Sequence, residues 1–253
     1  MNYRPLPALI LTALSALQAK ATDVWPLPSS PFPSVPAGVN SAIYPLPRLD
    51  WVARVKADND NAAPLADKIQ VIFDGDSITD GWQGNGHDVW QEHYAKIGAY
   101  DFGISGDRTE HLLWRLTQGQ TKGIHPKLIL LMIGTNNLGS NTNAEIAEGI
   151  KAIINEYRKL CPSAVILLQG IFPRSQSATD PLRARIKEIN KIISTYADGK
   201  NVLFLDFGDK FLQPDGTLSP EIMPDFLHPN ARGYQIWADA IQLVISRFFP
   251  AAK

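Results

Sequence analysis

Two rhythms divide the chain from Ile69 onward. Short runs that are nearly all apolar alternate with longer stretches in which apolar residues return every three or four positions. The short runs, 69–73, 99–103, 128–133, 165–170 and 202–205, predict strands buried on both faces. The longer stretches, 89–96, 109–116, 143–160, 181–196 and 231–248, predict amphipathic helices. Ile146, Ile150, Ile153, Ile154 and Tyr157 share one helix face, as do Leu182, Ile186, Ile189 and Ile193. In the last helix Ile236, Trp237, Ala240, Ile241, Val244 and Ile245 are expected to face inward. Such strands, separated by such helices, imply a three-layer α/β/α sandwich around a central parallel sheet of about five strands.

Before Ile69 this alternation fails. Residues 49–58 predict a short helix, with Trp51, Val52 and Val55 at helical spacing. Upstream, Pro26, Pro28, Pro31, Pro33, Pro36, Pro45 and Pro47 deny 22–48 regular helix or central strand. That segment predicts an extended proline-rich arm, with Trp25, Phe32 and Tyr44 as apolar anchors. Ahead of it, Arg4, the apolar stretch from Leu9 to Leu17 and Ala19-Lys20-Ala21 have the pattern of a cleavable leader over 1–21. The expectation is therefore export, to a secreted or periplasmic location, with cleavage after Ala21. The apolar part is too short to cross a membrane. Residues 49–253 are expected to form a single domain with no internal repeat.

Composition narrows the function. A chain of 253 residues supports one substantial α/β domain. Its net charge of −1 offers no field for nucleic acid or an anionic membrane. Cys161 is the only cysteine, in Leu160-Cys161-Pro162, which reads as a helix end and a structural thiol. His87 and His93 lack the spacing of a zinc site and read as surface or packing residues, so neither a metal nor a cofactor is expected. Trp82, Trp90 and Trp114 read as packing rather than as substrate platforms.

The chemistry concentrates after strands. Ser77, in Asp74-Gly75-Asp76-Ser77-Ile78-Thr79-Asp80, falls where the first strand gives way to a turn and helix. At the carboxyl edge of a parallel sheet, where ligands bind, such a serine is a candidate nucleophile, or simply a turn or N-cap serine. Gly106 follows the second strand and Asn136 the third. Alone they read as a turn glycine and a helix cap; together with the Ser77 N–H they are candidate oxyanion donors. Glycine at 106 would let a substrate reach the backbone. Asp225-Phe226-Leu227-His228 precedes the last helix and supplies a base, His228, with an acid three residues earlier to orient it. Asp206 and Asp209 are competing acids, read as structural.

Four ordered blocks carry a resemblance. Gly75-Asp76-Ser77-Ile78, the segment around Gly106, Gly134-Thr135-Asn136-Asn137 and Asp225-Phe226-Leu227-His228 resemble the motifs of the SGNH hydrolases, also called GDSL esterases or lipases. Within that family the chain resembles the catalytic subunits of brain-type platelet-activating factor acetylhydrolase, through Phe102-Gly103-Ile104-Ser105-Gly106-Asp107 and Leu113-Trp114-Arg115-Leu116. The resemblance implies a flavodoxin-like sheet and a serine ester hydrolase that removes small acyl groups, acetyl above all. It implies Ser77 as nucleophile, His228 and Asp225 as its partners, and Ser77 N, Gly106 N and Asn136 as the oxyanion hole. Ser105 departs from the glycine usual in those subunits, and Ile78 from the leucine of the family name. The expected partner is a small-molecule or carbohydrate ester, and the resemblance allows a homodimer. The other readings are a lysophospholipase or thioesterase of the same family, or an inactive relative that binds carbohydrate or protein.

Overall fold

Five strands form one wholly parallel sheet in the order β2-β1-β3-β4-β5. They are β1 (Val71–Gly75), β2 (Ala99–Asp101), β3 (Leu128–Met132), β4 (Val165–Gln169) and β5 (Val202–Leu205). The structure, a computed structural model, describes residues 34–250, which fall in one compact unit. The leader expected over 1–21 and the arm up to residue 33 lie outside the described residues.

Helices cover both faces, and the expected three-layer sandwich is what forms. On one face pack α4 (Thr109–Thr117), α5 (Asn143–Leu160) and α6 (Pro181–Ser194), with Leu112, Ile150, Ile153, Ile189 and Ile193 buried against Ile72, Ile129 and Ile166 of the sheet. On the other lie α3 (His87–His93) and α7 (Ala231–Phe248). There Phe73, Trp90, Tyr94, Tyr234 and Trp237 cluster around Trp82. Trp82 and Trp90 are thus core residues, as the sequence suggested, and Trp114 is half-buried. Two further helices, α1 (Val52–Ala62) and the single turn α2 (Ser77–Asp80), flank β1.

Local chemistry starts these helices where they start. Thr142 and Glu145 form a reciprocal capping box at the head of α5. Asp180 caps α6, with Pro181 at its first position, and Asn230 caps α7. Cys161 terminates α5 as a buried thiol. Helix α1 begins three residues later than the expected 49–58 and α3 two earlier than the expected 89–96. Among the strands the boundary that shifts most is that of β1, which was expected over 69–73. The Ile69 N–H is taken by the Leu65 and Ala66 carbonyls of the preceding turn. At the other end the strand continues through the fully buried Asp74, because Arg115, Gln120 and Tyr157 satisfy its carboxylate there.

This strand order places a crevice where the chain reverses direction across the sheet, between β1 and β3. Ser77 follows β1 and Asn136 follows β3, so the two flank that switch point.

Candidate active site

Ser77 is the first residue of α2, and Asp76 before it is the cap, its Oδ1 accepting the Ile78 N–H at 3.0 Å. Starting a helix there leaves the Ser77 N–H without an intrahelical acceptor. It also turns the hydroxyl toward the loop that leads into α7. The Ser77 Oγ lies 2.8 Å from His228 Nε2, across 151 positions of sequence. His228 Nδ1 lies 2.6 Å from Asp225 Oδ2. An ionised carboxylate can only accept, so Nδ1 carries the proton and Nε2 is left to accept from the serine hydroxyl.

Asp225 is held by its own turn. Its Oδ1 accepts the Leu227 and His228 N–H groups at 3.1 and 2.7 Å. Partial burial works against its charge, yet the hydrogen bonds from His228 outweigh that and hold its carboxyl below the ordinary range. The turn itself is strained. Phe226 has φ of 58°, in the left-handed region that a bulky residue rarely enters. Its carbonyl accepts the Ser175 N–H at 2.9 Å and its ring packs on the core, which offsets a cost of about 1–3 kcal/mol. Through that reversal Asp225 and His228 face each other only three positions apart.

Gly106 has φ of +79°, and its N–H makes no hydrogen bond within the described residues. The sequence suggested that glycine is needed there to clear a path for substrate. The structure gives a different reason: a Cβ would stand 2.5 Å from the Arg48 guanidinium, a flexible group that can yield, whereas the positive φ cannot be relieved. Asn136 donates one amide N–H to the Asp107 carbonyl at 2.9 Å, leaving its second free. Asn137, next to it, accepts the Thr109 N–H and donates to Glu110, which ties the loop after β3 to the head of α4. Gly106 and Asn136 therefore belong to one braced substructure, joined through Asp107.

Beneath this substructure lies a buried charge cluster. Arg115 donates to Asp107 at 2.7 Å, to Asp74 at 2.9 Å and to Gln120. Burial raises Asp107 to about 6 even though Arg115 opposes it. Asp76, fully buried with no partner for Oδ2 among the described residues, is raised by burial to about 7.

A cleft of about 450 Å³ opens beside the serine, lined by Ser77, Asp80, Gln83, Asn85, Ser105, His228 and Tyr234 among others. Gly106 and Asn136 are not part of its lining. A larger groove, about 660 Å³, runs between the loop after β3 and α6, but no histidine lines it to activate the Ser140 or Thr142 hydroxyl. Its Arg185 is occupied by Asn143 and by the Leu138 and Asn141 carbonyls. Among the described residues no group of His, Cys, Asp or Glu could hold a metal, and no helix is long and apolar enough to cross a membrane.

Residues 73–236, which contain every residue of this arrangement named in the sequence, match the GDSL-like lipase/acylhydrolase family. The chain belongs to that family. Among GDSL-family relatives, the platelet-activating factor acetylhydrolase IB subunit alpha1 of Rattus norvegicus is 34% identical over 220 residues, 83% of this chain and 91% of that one. The alpha2 subunit of Homo sapiens is 38% identical over 165 residues, 65% of this chain and 70% of that one. Two solved structures share the fold. A GDSL-like lipase from Bacteroides thetaiotaomicron has a TM-score of 0.63 at 23% identity, covering 78% of this chain and 99% of that one. An acetylxylan esterase from Geobacillus stearothermophilus has a TM-score of 0.55 at 22% identity, covering 72% and 95%.

Membership in the GDSL-like family makes the chain an acylhydrolase by class. Sequence reading missed the groups that support its site. Asp74 and Arg115 carried a signal, charged residues at the edge of or within apolar runs, whereas Asp107 stands among polar neighbours. Arg48, in the proline-rich arm, carried none. Asp206 is structural, as read, with its carboxylate accepting from Gly208 N and Asn190.

Proposed function

We propose that the chain is a serine esterase that removes small acyl groups, acetyl above all, from a polar alcohol. The observation that carries this reading is the unbroken relay from Ser77 Oγ to His228 Nε2 at 2.8 Å and from His228 Nδ1 to Asp225 at 2.6 Å. As Ser77 attacks the ester carbonyl, His228 takes its proton, and the ionised Asp225 stabilises the resulting imidazolium. The negative charge on the former carbonyl oxygen calls for donors. The free N–H groups of Ser77 and Gly106 and the second N–H of Asn136 are the candidates. His228 then returns the proton to the leaving alcohol, and water repeats the sequence on the acyl-enzyme.

The choice of acyl and alcohol rests on the cleft and on the relatives. Asp80, Gln83, Asn85 and Ser105 give the cleft hydrogen-bonding groups that suit a hydroxylated alcohol such as a sugar. Relatives and fold neighbours include proteins named as an acetylhydrolase and an acetylxylan esterase. The leader pattern over 1–21 supports export, testable by N-terminal sequencing of protein recovered outside the cytoplasm.

The test is hydrolysis of p-nitrophenyl esters from acetate to long acyl chains, followed by acetylated oligosaccharides. The expected outcome is a steep fall of turnover with chain length and its loss in Ser77→Ala with the fold intact. Turnover that rises with acyl length would replace this reading with a lysophospholipase-like one. Persistence of activity in Ser77→Ala would remove the nucleophile.

A further inference from the structure

Ser105 C=O and Gly106 N–H are the two ends of one peptide unit. Because a trans peptide is planar, whatever fixes the carbonyl also fixes the direction of the N–H on the opposite side. Arg48 occupies that carbonyl: its Nη1 donates to the Ser105 oxygen at 2.5 Å. The same guanidinium fills the space a Cβ on Gly106 would enter, lies 3.9 Å from Asp107 Oδ1, and stands 5.4 Å over the Trp51 ring. Its other terminal nitrogen pairs with Asp50 at 2.8 Å. Ser105, Asp107, Trp51 and Asp50 thus hold a side chain that is only about one-fifth exposed.

The preceding peptide is clamped as well. Asp80 Oδ2 accepts both the Ser105 N–H, at 3.2 Å, and the Ser105 hydroxyl, at 2.5 Å. Arg54 in turn holds the other oxygen of Asp80, at 3.0 Å. Both ends of Ser105 are therefore anchored, and the next N–H, that of Gly106, is left unpartnered at the turn of positive φ. A hydrogen bond from a cation to an amide oxygen also draws electron density from the amide nitrogen, so the N–H across the same peptide becomes a stronger donor.

We propose that Arg48 is a positioning residue of the oxyanion site, acting through the Ser105 carbonyl to aim and polarise the Gly106 N–H. It touches neither substrate nor nucleophile. The inference rests on the reading above that Gly106 donates to the oxyanion, and it brings the segment ahead of the domain core into the chemistry.

The experiment compares the full chain with Arg48→Ala and Arg48→Lys on p-nitrophenyl acetate. It also measures inhibition by a small alkylboronic acid, whose tetrahedral adduct on Ser77 places an oxygen where the oxyanion forms. In Arg48→Ala the expected result is a fall of kcat by about tenfold or more with KM changed little, because only transition-state binding is lost. Boronate affinity should fall by a similar factor. Arg48→Lys, which keeps one charged donor, should recover much of both, and added guanidinium ion at non-denaturing concentration should raise kcat of the Ala variant but not of the wild type. Unchanged kcat and boronate affinity in a folded Ala variant would overturn the proposal. So would equal losses in the Ala and Lys variants. If Arg48→Ala fails to fold, the Lys comparison and the guanidinium effect on Arg48→Gln decide by the same criteria. A wild type inactive on every ester would sink the underlying reading instead, and it would show before any variant is made.

Discussion

Replacing Arg115 with methionine should cost this protein a large part of its stability, and the cost should grow with pH. Arg115 is 2% exposed and bonds two carboxylates, Asp74 and Asp107, that are themselves buried. Methionine fills similar space but leaves both without their cation. Breaking a buried pair by removing one partner costs about 3–5 kcal/mol. A domain with a total stability of about 5–15 kcal/mol would then lose roughly 6–20 °C in Tm.

The pH dependence follows from Asp107. Burial already raises its folded-state value to about 6, above the unfolded value, while Arg115 holds it down. A raised carboxylate means that the folded state keeps a proton the unfolded chain has lost, so stability falls as pH rises toward the folded value and levels off above it. In the wild type that fall ends near pH 6. Without Arg115 the folded value moves higher, and the variant should go on losing up to about 1.4 kcal/mol per pH unit between pH 6 and 8. Urea unfolding followed by tryptophan fluorescence at pH 6, 7 and 8 measures both quantities. A loss below about 1 kcal/mol at pH 7, or the same loss at pH 6 and 8, would refute the view that Arg115 neutralises a buried carboxylate pair.

Two further variants probe the site directly. Asn136→Ala should lower kcat by about a hundredfold or more with KM little changed, since its free amide N–H is expected to bind only the oxyanion; a change confined to KM would reassign it to substrate binding. Asp225→Asn should lower kcat by several powers of ten, roughly two to four, because an amide N–H opposite His228 Nδ1 favours the tautomer that puts the proton on Nε2. Asp225 is held below the ordinary carboxylate range, so its contribution is present above about pH 4 and is lost only as pH falls through its lower folded value. An acid limb of kcat/KM lying above about pH 4 should therefore not be set by Asp225. Full activity down to about pH 4.5, with loss only below it, would point to Asp225 as the group that sets the limb.

The legible part of this fold is the part governed by apolar periodicity. The limits of α5 and α7 and of β5 follow from where apolar spacing begins and ends, because nothing polar interrupts those faces. Reading failed where a polar residue lies inside an apolar element. Asp74 cut the expected β1 short, since a carboxylate in a strand reads as its end unless the partners are known. Those partners lie 41, 46 and 83 positions away, in Arg115, Gln120 and Tyr157. The groups proposed to react were easier to find than their supports. Ser77, Asp225 and His228 would each have to be of a particular residue type to do the work proposed for them, so they stand out in a single chain, whereas Asp107 or Asn137 acts through contacts that only folding creates.

The same distinction explains the layout of the site. The Ser77–His228–Asp225 relay spans only two loops, and each loop is short and held by its own backbone: α2 by the Asp76 cap, the Asp225 turn by two N–H groups. The proposed oxyanion side has less local economy. Gly106 has a positive φ and a free N–H, and the Asp107 N–H closes its turn on the Ile104 carbonyl at 3.1 Å, but that bond joins the ends of the turn and does not grip the middle peptide that carries the Gly106 N–H. Its direction must come from outside, and the structure supplies it from three elements: Arg48 ahead of α1, Asp80 at the end of α2, and Asp107 standing on Arg115 of α4. Preorganised donors stabilise a transition state only if they need not move when the charge appears. A buried arginine under one side of the turn and a half-buried one against the other meet that requirement with hydrogen bonds that are charge-assisted and short. Loss of either arginine should therefore lower kcat more than it raises KM, with the larger loss of stability at Arg115, whose side chain is 2% exposed against 22% for Arg48.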